Sequence, residues 1–211
     1  MIAQARFRHG SRRAARTSAH GEVTNLPTRE RLLGAAARLF AQRGFHGVGI
    51  SEVGAELGVT GAALYRHFPS KDALLVELIE RVCDRVTGEA SETVSAGGGD
   101  RRVLAGLIAG QLRMVLDDRD VVIVWTHELS SLPREDWRRM RRKQRMYLEE
   151  WLHVLVGLRP DLSEAEARSL VHAAIGVLHS SVQHESGLTR DAQEALLVAA
   201  VYRILGVAAN D

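Results

Sequence analysis

VTGAALYRHFPSKDALL, residues 59–75, holds a short helix, a proline stop and the start of a second helix in one stretch. Thr60 is an N-cap residue, because its hydroxyl can accept a hydrogen bond from a first-turn N–H that has no helical partner. Leu64 and Phe68, four residues apart, form one apolar edge. Pro69 cannot continue the helix, and Ser70 caps the next, with Asp72 in its first turn. Just upstream, SEVGAELG (51–58) places Val53 and Leu57 four apart and ends on Gly58, where a helix C-terminus favours glycine. Two short helices joined by a tight Gly-Val-Thr turn make a helix-turn-helix, whose second member can enter a DNA major groove.

Outward from this motif, Leu32, Leu33, Ala36, Leu39 and Phe40 follow the spacing of one helix face between Thr28 and Arg43. Gly44 stops that helix and Phe45 returns to the core. The start of the helix, at Thr28 and Arg29, is a candidate phosphate contact, since helix N-termini suit anions.

GVTGAALYRHFPSKDALL, preceded by TRERLLGAAARLFAQRGFHGVGISEVGAEL, resembles the N-terminal DNA-binding region of the TetR family of transcriptional regulators. The likeness runs from Thr28 to about Leu75, under a quarter of the chain. Its specificity comes from the turn, Leu-Tyr-x-His-Phe, Pro-Ser-Lys and the upstream amphipathic helix occurring together and in order. The resemblance implies that Thr60, Tyr65, His67 and Lys71 contact phosphates and that Gly61, Ala62, Ala63 and Arg66 face base edges. Hydroxyls, a phenol and an ammonium suit phosphate oxygens. Three glycines depart from the family pattern. Gly61 replaces a lysine or another polar residue, Gly49 a Ser/Thr cap, and Gly54 an alanine. Each is expected to weaken a contact or loosen a helix, by up to about 1 kcal/mol per glycine. Arg66 is left as the one strong base reader nearby.

The charge distribution agrees with a DNA-binding head. Residues 1–71 carry eleven Lys/Arg against four Asp/Glu, a balance of +7, and residues 72–211 carry seventeen against twenty-two, a balance of −5. A basic head on an acidic body is the footprint of a phosphate-binding module joined to something else. Residues 1–26, with Arg6, Arg8, Arg12, Arg13 and Arg16 and no apolar stripe, read as a disordered arm able to reach DNA beside the main site. The single cysteine, Cys83, excludes an internal disulfide and fits a reducing, cytoplasmic setting. No secretory signal or membrane-spanning run is expected.

The four prolines, Pro27, Pro69, Pro133 and Pro160, fall between apolar-periodic segments and never inside one, which predicts an all-α chain of about nine helices. Helix four is expected from Ser70 to about Val94, leaving the head and entering the body as the mechanical link between them. AGGG, 96–99, is a loop. Helices follow over 101–116 and 121–132, the second containing the strand-like run VVIVW (121–125), and a long one from Pro133 to about Leu158. On that helix Trp137, Met140, Gln144, Tyr147, Leu148, Trp151 and Leu155 share a core-facing stripe. Arg134, Arg138, Arg139, Arg141, Arg142, Lys143 and Arg145 read as a solvated face, or in part as a site for an anionic effector. Ser163 and Glu166 form a capping box. From Ser169 to His184 no residue carries a formal charge, so this helix is expected to be buried all round. With the equally uncharged stretch from Ala195 to Tyr202, it predicts a homodimer built as a four-helix bundle.

The domain reading is residues 1–26 as the arm, 27–72 as the helix-turn-helix DNA-binding domain and 73–211 as the effector-binding and dimerisation domain. By resemblance the body encloses an effector cavity, for which the candidate contacts are Gln111, Met114, Trp125, His127, Met140, Gln144, Tyr147, Trp151 and His179. Methionine and aromatic lining with basic residues nearby suits a fatty acid or its acyl-CoA thioester, and equally an aromatic or sterol-like molecule. His172, His179 and Gln183 are expected to share a polar edge without metal-ligand spacing. Neither a cofactor motif nor a catalytic spacing is present, so no enzymatic activity is expected. The function expected is sequence-specific regulation, by family habit repression, relieved by a largely apolar effector. Two alternatives stay open: a non-specific architectural DNA binder, and a ligand-binding body with a degenerate head.

Overall fold

The structure is a computed structural model that describes residues 28–209, so the expected arginine arm over 1–26 lies outside the described residues. Among them there are nine α-helices and no strand. They are α1 (Thr28–Arg43), α2 (Ile50–Glu56), α3 (Gly61–His67), α4 (Lys71–Ala96), α5 (Asp100–Asp117), α6 (Arg119–Glu128), α7 (Arg134–Leu158), α8 (Glu164–Ser180) and α9 (Arg190–Leu205). No helix of the described residues is long and apolar enough to cross a membrane.

Local chemistry sets the helix ends. The hydroxyls of Thr60, Ser70 and Thr189 accept from the N–H groups of Ala63, Ala73 and Ala192 at 3.3, 3.0 and 3.3 Å. Ser163 and Glu166 complete their reciprocal box, the Glu166 carboxylate taking the Ser163 N–H at 2.8 Å. Gly97, Gly98 and Gly99 all adopt positive φ, which lets α4 reverse into α5 within three residues.

Two apolar cores result. The first gathers Leu32, Phe40, Phe45, Val53, Leu64, Phe68, Leu74, Leu75 and Ile79 from α1 to α4. It also takes Val124 of α6, Leu132 from the connection after α6, and Met140 of α7, so the head is packed partly by elements of the body. The second is built by α5, α7, α8 and α9 around Leu104, Ile108, Leu112, Trp151, Leu155, Val171, Leu178 and Val201. Each such side chain, fully buried, contributes about 1.5–3 kcal/mol before entropy is charged.

Several sequence expectations are corrected. The helix expected over 121–132 ends at Glu128, and Leu129–Ser131 is a 3-10 turn. The α7 stripe is not uniformly core-facing: Trp137 is 39% exposed, with the Arg141 guanidinium 5.7 Å from its ring centre. The basic run of α7 is not wholly solvated either. Arg139 Nε and Lys143 Nζ each donate to Glu80 of α4 at 3.0 Å, and Lys143 also reaches Asp84. The uncharged run of α8 stops at Ser180 and continues as a 3-10 turn, Ser181–Gln183. It is not buried all round within one chain, where Ser169, His172, Ala173, Gly176 and Ser180 are exposed.

Candidate nucleic-acid interface and the cavity behind it

The helix-turn-helix is formed by α2, the turn 57–60 and α3. Gly58 takes φ +66°, a left-handed conformation that glycine adopts at no steric cost. Gly54 is buried in α2, and an added Cβ would stand 2.8 Å from the Val59 carbonyl oxygen and 3.2 Å from Leu64 Cδ1. The turn doubles back on this point, with the Val59 N–H donating to the Gly54 carbonyl at 2.9 Å. Gly54 therefore permits a close approach of α2 and α3, a correction to the expectation that it only loosens helix two. Gly49 does lack a capping side chain, but the Glu52 carboxylate reaches back to its N–H at 2.6 Å. That hydrogen bond, followed by one from Arg43, holds the Glu52 carboxyl below its usual range. At Gly61 an added Cβ meets nothing within 4 Å, so no packing requires glycine there.

On α3 the exposed positions are Gly61, Ala62, Tyr65 and Arg66, which span about 140° at 100° per residue. Leu64 and Phe68, both essentially buried, anchor the helix in the core. Ala63 and His67 sit on the flanks, half-buried, and Ala63 donates its N–H to the Thr60 cap. Among the described residues, Tyr65, Arg66 and His67 have no side-chain hydrogen bond or ion pair within the protein, and Tyr65 is 54% exposed. Thr28 is exposed at the start of α1.

Two of the expected phosphate contacts are otherwise employed. Lys71 Nζ donates to the carbonyls of Phe45 and Val48 at 2.9 and 3.0 Å and lies 4.2 Å from the Phe45 ring centre. Its charge holds the α1–α2 connection, leaving one of three ammonium donors free. Arg29 donates to Glu77 at 2.8 Å and to the His67 carbonyl at 2.7 Å, over the Phe68 ring. Its hydrogen bonds draw the Glu77 carboxyl below the ordinary range against the opposing effect of burial. Both cations thus lock α3 and α4 onto α1.

Behind the head, α4 to α8 enclose a cavity of about 50 Å³. Of the nine expected effector contacts, Gln111, Met114, Trp125, Gln144, Tyr147 and His179 line it. The other three do not. His127 is exposed near the end of α6, Met140 is buried in the head core, and Trp151 lies behind Tyr147 with ring centres 6.2 Å apart. Nor do His172 and Gln183 share an edge with His179: both are exposed, whereas His179 turns inward. Sequence reasoning missed Val82, Cys83, Val86 and Thr87 of α4 and Lys143 of α7. A signal for Lys143 existed, since it falls only about 40° from Tyr147 on the helical wheel.

Polar groups cross this apolar space in one chain. The Tyr147 hydroxyl lies 2.6 Å from Gln111 Oε1, and Gln111 Nε2 lies 2.9 Å from His179 Nε2. Gln111 is 1% exposed, so its amide depends on these partners. Burial pushes the His179 pKa down to about 4, raises that of the Tyr147 phenol, and lifts the Cys83 thiol to about 12. All three groups are neutral at pH 7.

Comparison with known proteins places this architecture. Residues 32–78 match the family model described as bacterial regulatory proteins, tetR family. The HTH-type transcriptional repressor KstR2 of Rhodococcus jostii (strain RHA1) is 27% identical over 128 residues, which are 60% of this chain and 63% of that protein. The match thus spans less than two thirds of this relative's length. A TetR-family transcriptional regulator from Bordetella parapertussis 12822 superposes with a TM-score of 0.77 at 20% identity, covering 85% of this chain and 94% of that one. The ketosteroid transcriptional regulator KstR2 of Mycobacterium tuberculosis gives a TM-score of 0.74 at 21% identity, over 85% and 94%. Residues 32–78 thus match the tetR-family model, and the described helices adopt the fold of these tetR-family structures.

Proposed function

We propose that the chain is a homodimeric, sequence-specific transcriptional regulator, a repressor that leaves its operator when a small apolar effector enters the cavity. Residues 27–72 act as the DNA-reading head and 73–211 as the effector-binding and dimerising body. The observation that carries the reading is the division of labour around α3: among the described residues the side chains of Tyr65, Arg66 and His67 are unpartnered, while the neighbouring cations Arg29 and Lys71 are bound within the protein. A basic, hydroxyl-bearing helix face left free beside a rigidified turn suits backbone positioning by Tyr65 and His67 and base reading by Arg66. The intact turn and the close packing at Gly54 favour a working head over a degenerate one.

The exposed, uncharged faces of α8 and α9, with Gly176 open and Leu196 56% exposed, suit a second copy of the chain. A dimer sets two heads at groove spacing. Ligand pockets usually measure about 300–1,000 Å³, so an effector must part the helices that line the present cavity. Three of those helices, α4, α6 and α7, also pack the head. Opening the cavity therefore shifts the heads relative to each other, and no catalytic step is needed. An operator competition titration tests the function. A specific regulator prefers its operator to random duplex by at least about a thousandfold. Equal affinity for both duplexes would instead identify an architectural DNA binder.

A further inference from the structure

The cavity's polar chain carries a statement about its ligand, one that rests on the effector reading above. Tyr147, Gln111 and His179 are three neutral groups linked end to end by two contacts. The chain can run in either direction. If Tyr147 donates to the Gln111 oxygen, the amide nitrogen donates to His179 Nε2, and the histidine proton sits on Nδ1. If the amide is turned round, His179 donates to Gln111, Gln111 donates to the Tyr147 oxygen, and the phenolic hydrogen is released. Both arrangements leave donor hydrogens to spare: the second amide N–H of Gln111 in each, with the His179 N–H in the first and the Tyr147 O–H in the second. The rest of the lining is dominated by apolar side chains such as Val86, Met114, Val122 and Ile175.

Among the described residues the single charged member of the lining is Lys143, and its charge is already compensated. It is held by Glu80 and Asp84, and Glu80 also takes Arg139, which pairs with Asp136 at 2.7 Å. Two cations stand against three carboxylates. On the far side of Tyr147, Arg113 is paired with Glu89 at 2.9 Å and so adds no free positive charge. An entering carboxylate would lose its hydration and meet no available cation, a strongly unfavourable exchange. A carbonyl or hydroxyl oxygen needs only one spare donor. We infer that this cavity takes a neutral, largely apolar molecule carrying one acceptor oxygen, a ketone or alcohol, and discriminates against the corresponding carboxylate.

The test is a direct binding titration of the full-length dimer with two matched pairs: 2-undecanone against undecanoate, and 2-decalone against decalin-2-carboxylate. Each pair is run with and without operator. At pH 7.5 the ketone of at least one pair is expected to bind at least about tenfold more tightly than its acid. His179→Phe and Gln111→Leu, which break the chain, should each weaken ketone binding about fivefold and leave the acid unchanged. Should either variant fail to fold, the wild-type ratio still decides. Equal or tighter binding of both acids overturns the inference, as does binding of none of the four. The effector reading is judged separately. If a bound probe lowers operator affinity that reading stands whichever member wins, and if bound probes leave operator affinity unmoved it falls while the ligand class holds.

Discussion

Gly54→Ala sets two effects of known sign against each other. Alanine is favoured over glycine inside a helix by about 1 kcal/mol, so propensity alone predicts a more stable protein. The packing predicts the reverse. A Cβ at residue 54 would lie 2.8 Å from a backbone carbonyl, that of Val59, and 3.2 Å from Leu64 Cδ1. Leu64 Cδ1 can rotate aside, but the Val59 oxygen belongs to the turn, and its own N–H is bound to the Gly54 carbonyl at 2.9 Å. Relieving the contact means moving the turn and α3 outward by several tenths of an ångström. Overpacking of this kind costs about 1–3 kcal/mol. The net expectation is a loss of about 1 kcal/mol, seen as a fall of about 2–4 °C in the melting temperature. Operator affinity should fall further than stability, because the displaced element is the reading helix. Thermal unfolding and operator titration of the variant provide the assay, with Gly61→Ala as the control. Gly61 begins α3 with nothing within 4 Å of an added Cβ, so alanine there should be neutral or mildly stabilising. A Gly54→Ala protein that melts 2–4 °C higher with unchanged operator affinity would refute the close-approach argument.

Tyr65→Phe removes an exposed hydroxyl with no partner among the described residues and should leave the melting temperature unchanged while weakening operator binding about fivefold, as read by fluorescence anisotropy. Lys71→Ala should instead destabilise the head by about 1–3 kcal/mol in urea titrations, since it deletes two hydrogen bonds to the Phe45 and Val48 carbonyls. The folded-state pKa of His179, about 4, lies below its unfolded value near 6.5, so its contribution is present above the unfolded pKa and lost as pH falls toward 4. Unfolding free energies from urea titrations at pH 7.5 and pH 5 should differ by about 2 kcal/mol more in the native protein than in His179→Gln. Gly176→Glu fits a single chain, where nothing approaches within 4 Å, but places a charge on the face assigned to the partner; light scattering should show a folded monomer with weakened operator binding. Glu128→Ala should lower head stability by about 1–2 kcal/mol and reduce the change in operator affinity produced by an effector, because it frees the Phe45 N–H that Glu128 accepts at 2.9 Å.

The head was legible because its signals are local. Thr60, Ser70, Pro69 and Gly58 act on their own backbone neighbours, so each cap or stop read from the chain appears where it was placed. The strand-like VVIVW fell correctly within a helix, α6, since its flanks carried helical periodicity. What the chain does not reveal locally depends on partners distant in sequence. Lys71 and Arg29 are spent on Phe45, Val48 and Glu77, contacts no window around either residue contains. The α7 stripe has the right period, but periodicity cannot say which of two cores a residue enters. Met140 joins the head, Trp151 the body, and Gln144 and Tyr147 the space between. His172 and His179, seven residues apart, lie nearly in line on the helical wheel. Yet the surroundings of α8 change along its length, so that His179 meets Gln111 and His172 meets solvent.

The assignment of α4 as the mechanical link needs enlarging for the same reason. α4 does run from the Ser70 cap to the cavity wall at Val82–Thr87, and Arg29 and Glu77 tie it to α1. α6 makes a second connection. Val122 and Trp125 face the cavity, Val124 between them is buried in the head core, and Glu128 at its end holds the loop after α1. α7 makes a third, with Met140 in the head core and Lys143 and Gln144 at the cavity one turn later. Lys143 and Arg139 then bind α7 to α4 through Glu80. These pairs are roughly a third exposed and contribute little stability, about 0–1 kcal/mol each. Their value is positional, because they make α4 and α7 move together. A ligand that spreads the cavity must displace three helices that all end in the head, and close packing there resists continuous deformation. Such a core shifts between discrete arrangements, so a coupling of about 1–3 kcal/mol suffices to change operator affinity by roughly one to two orders of magnitude.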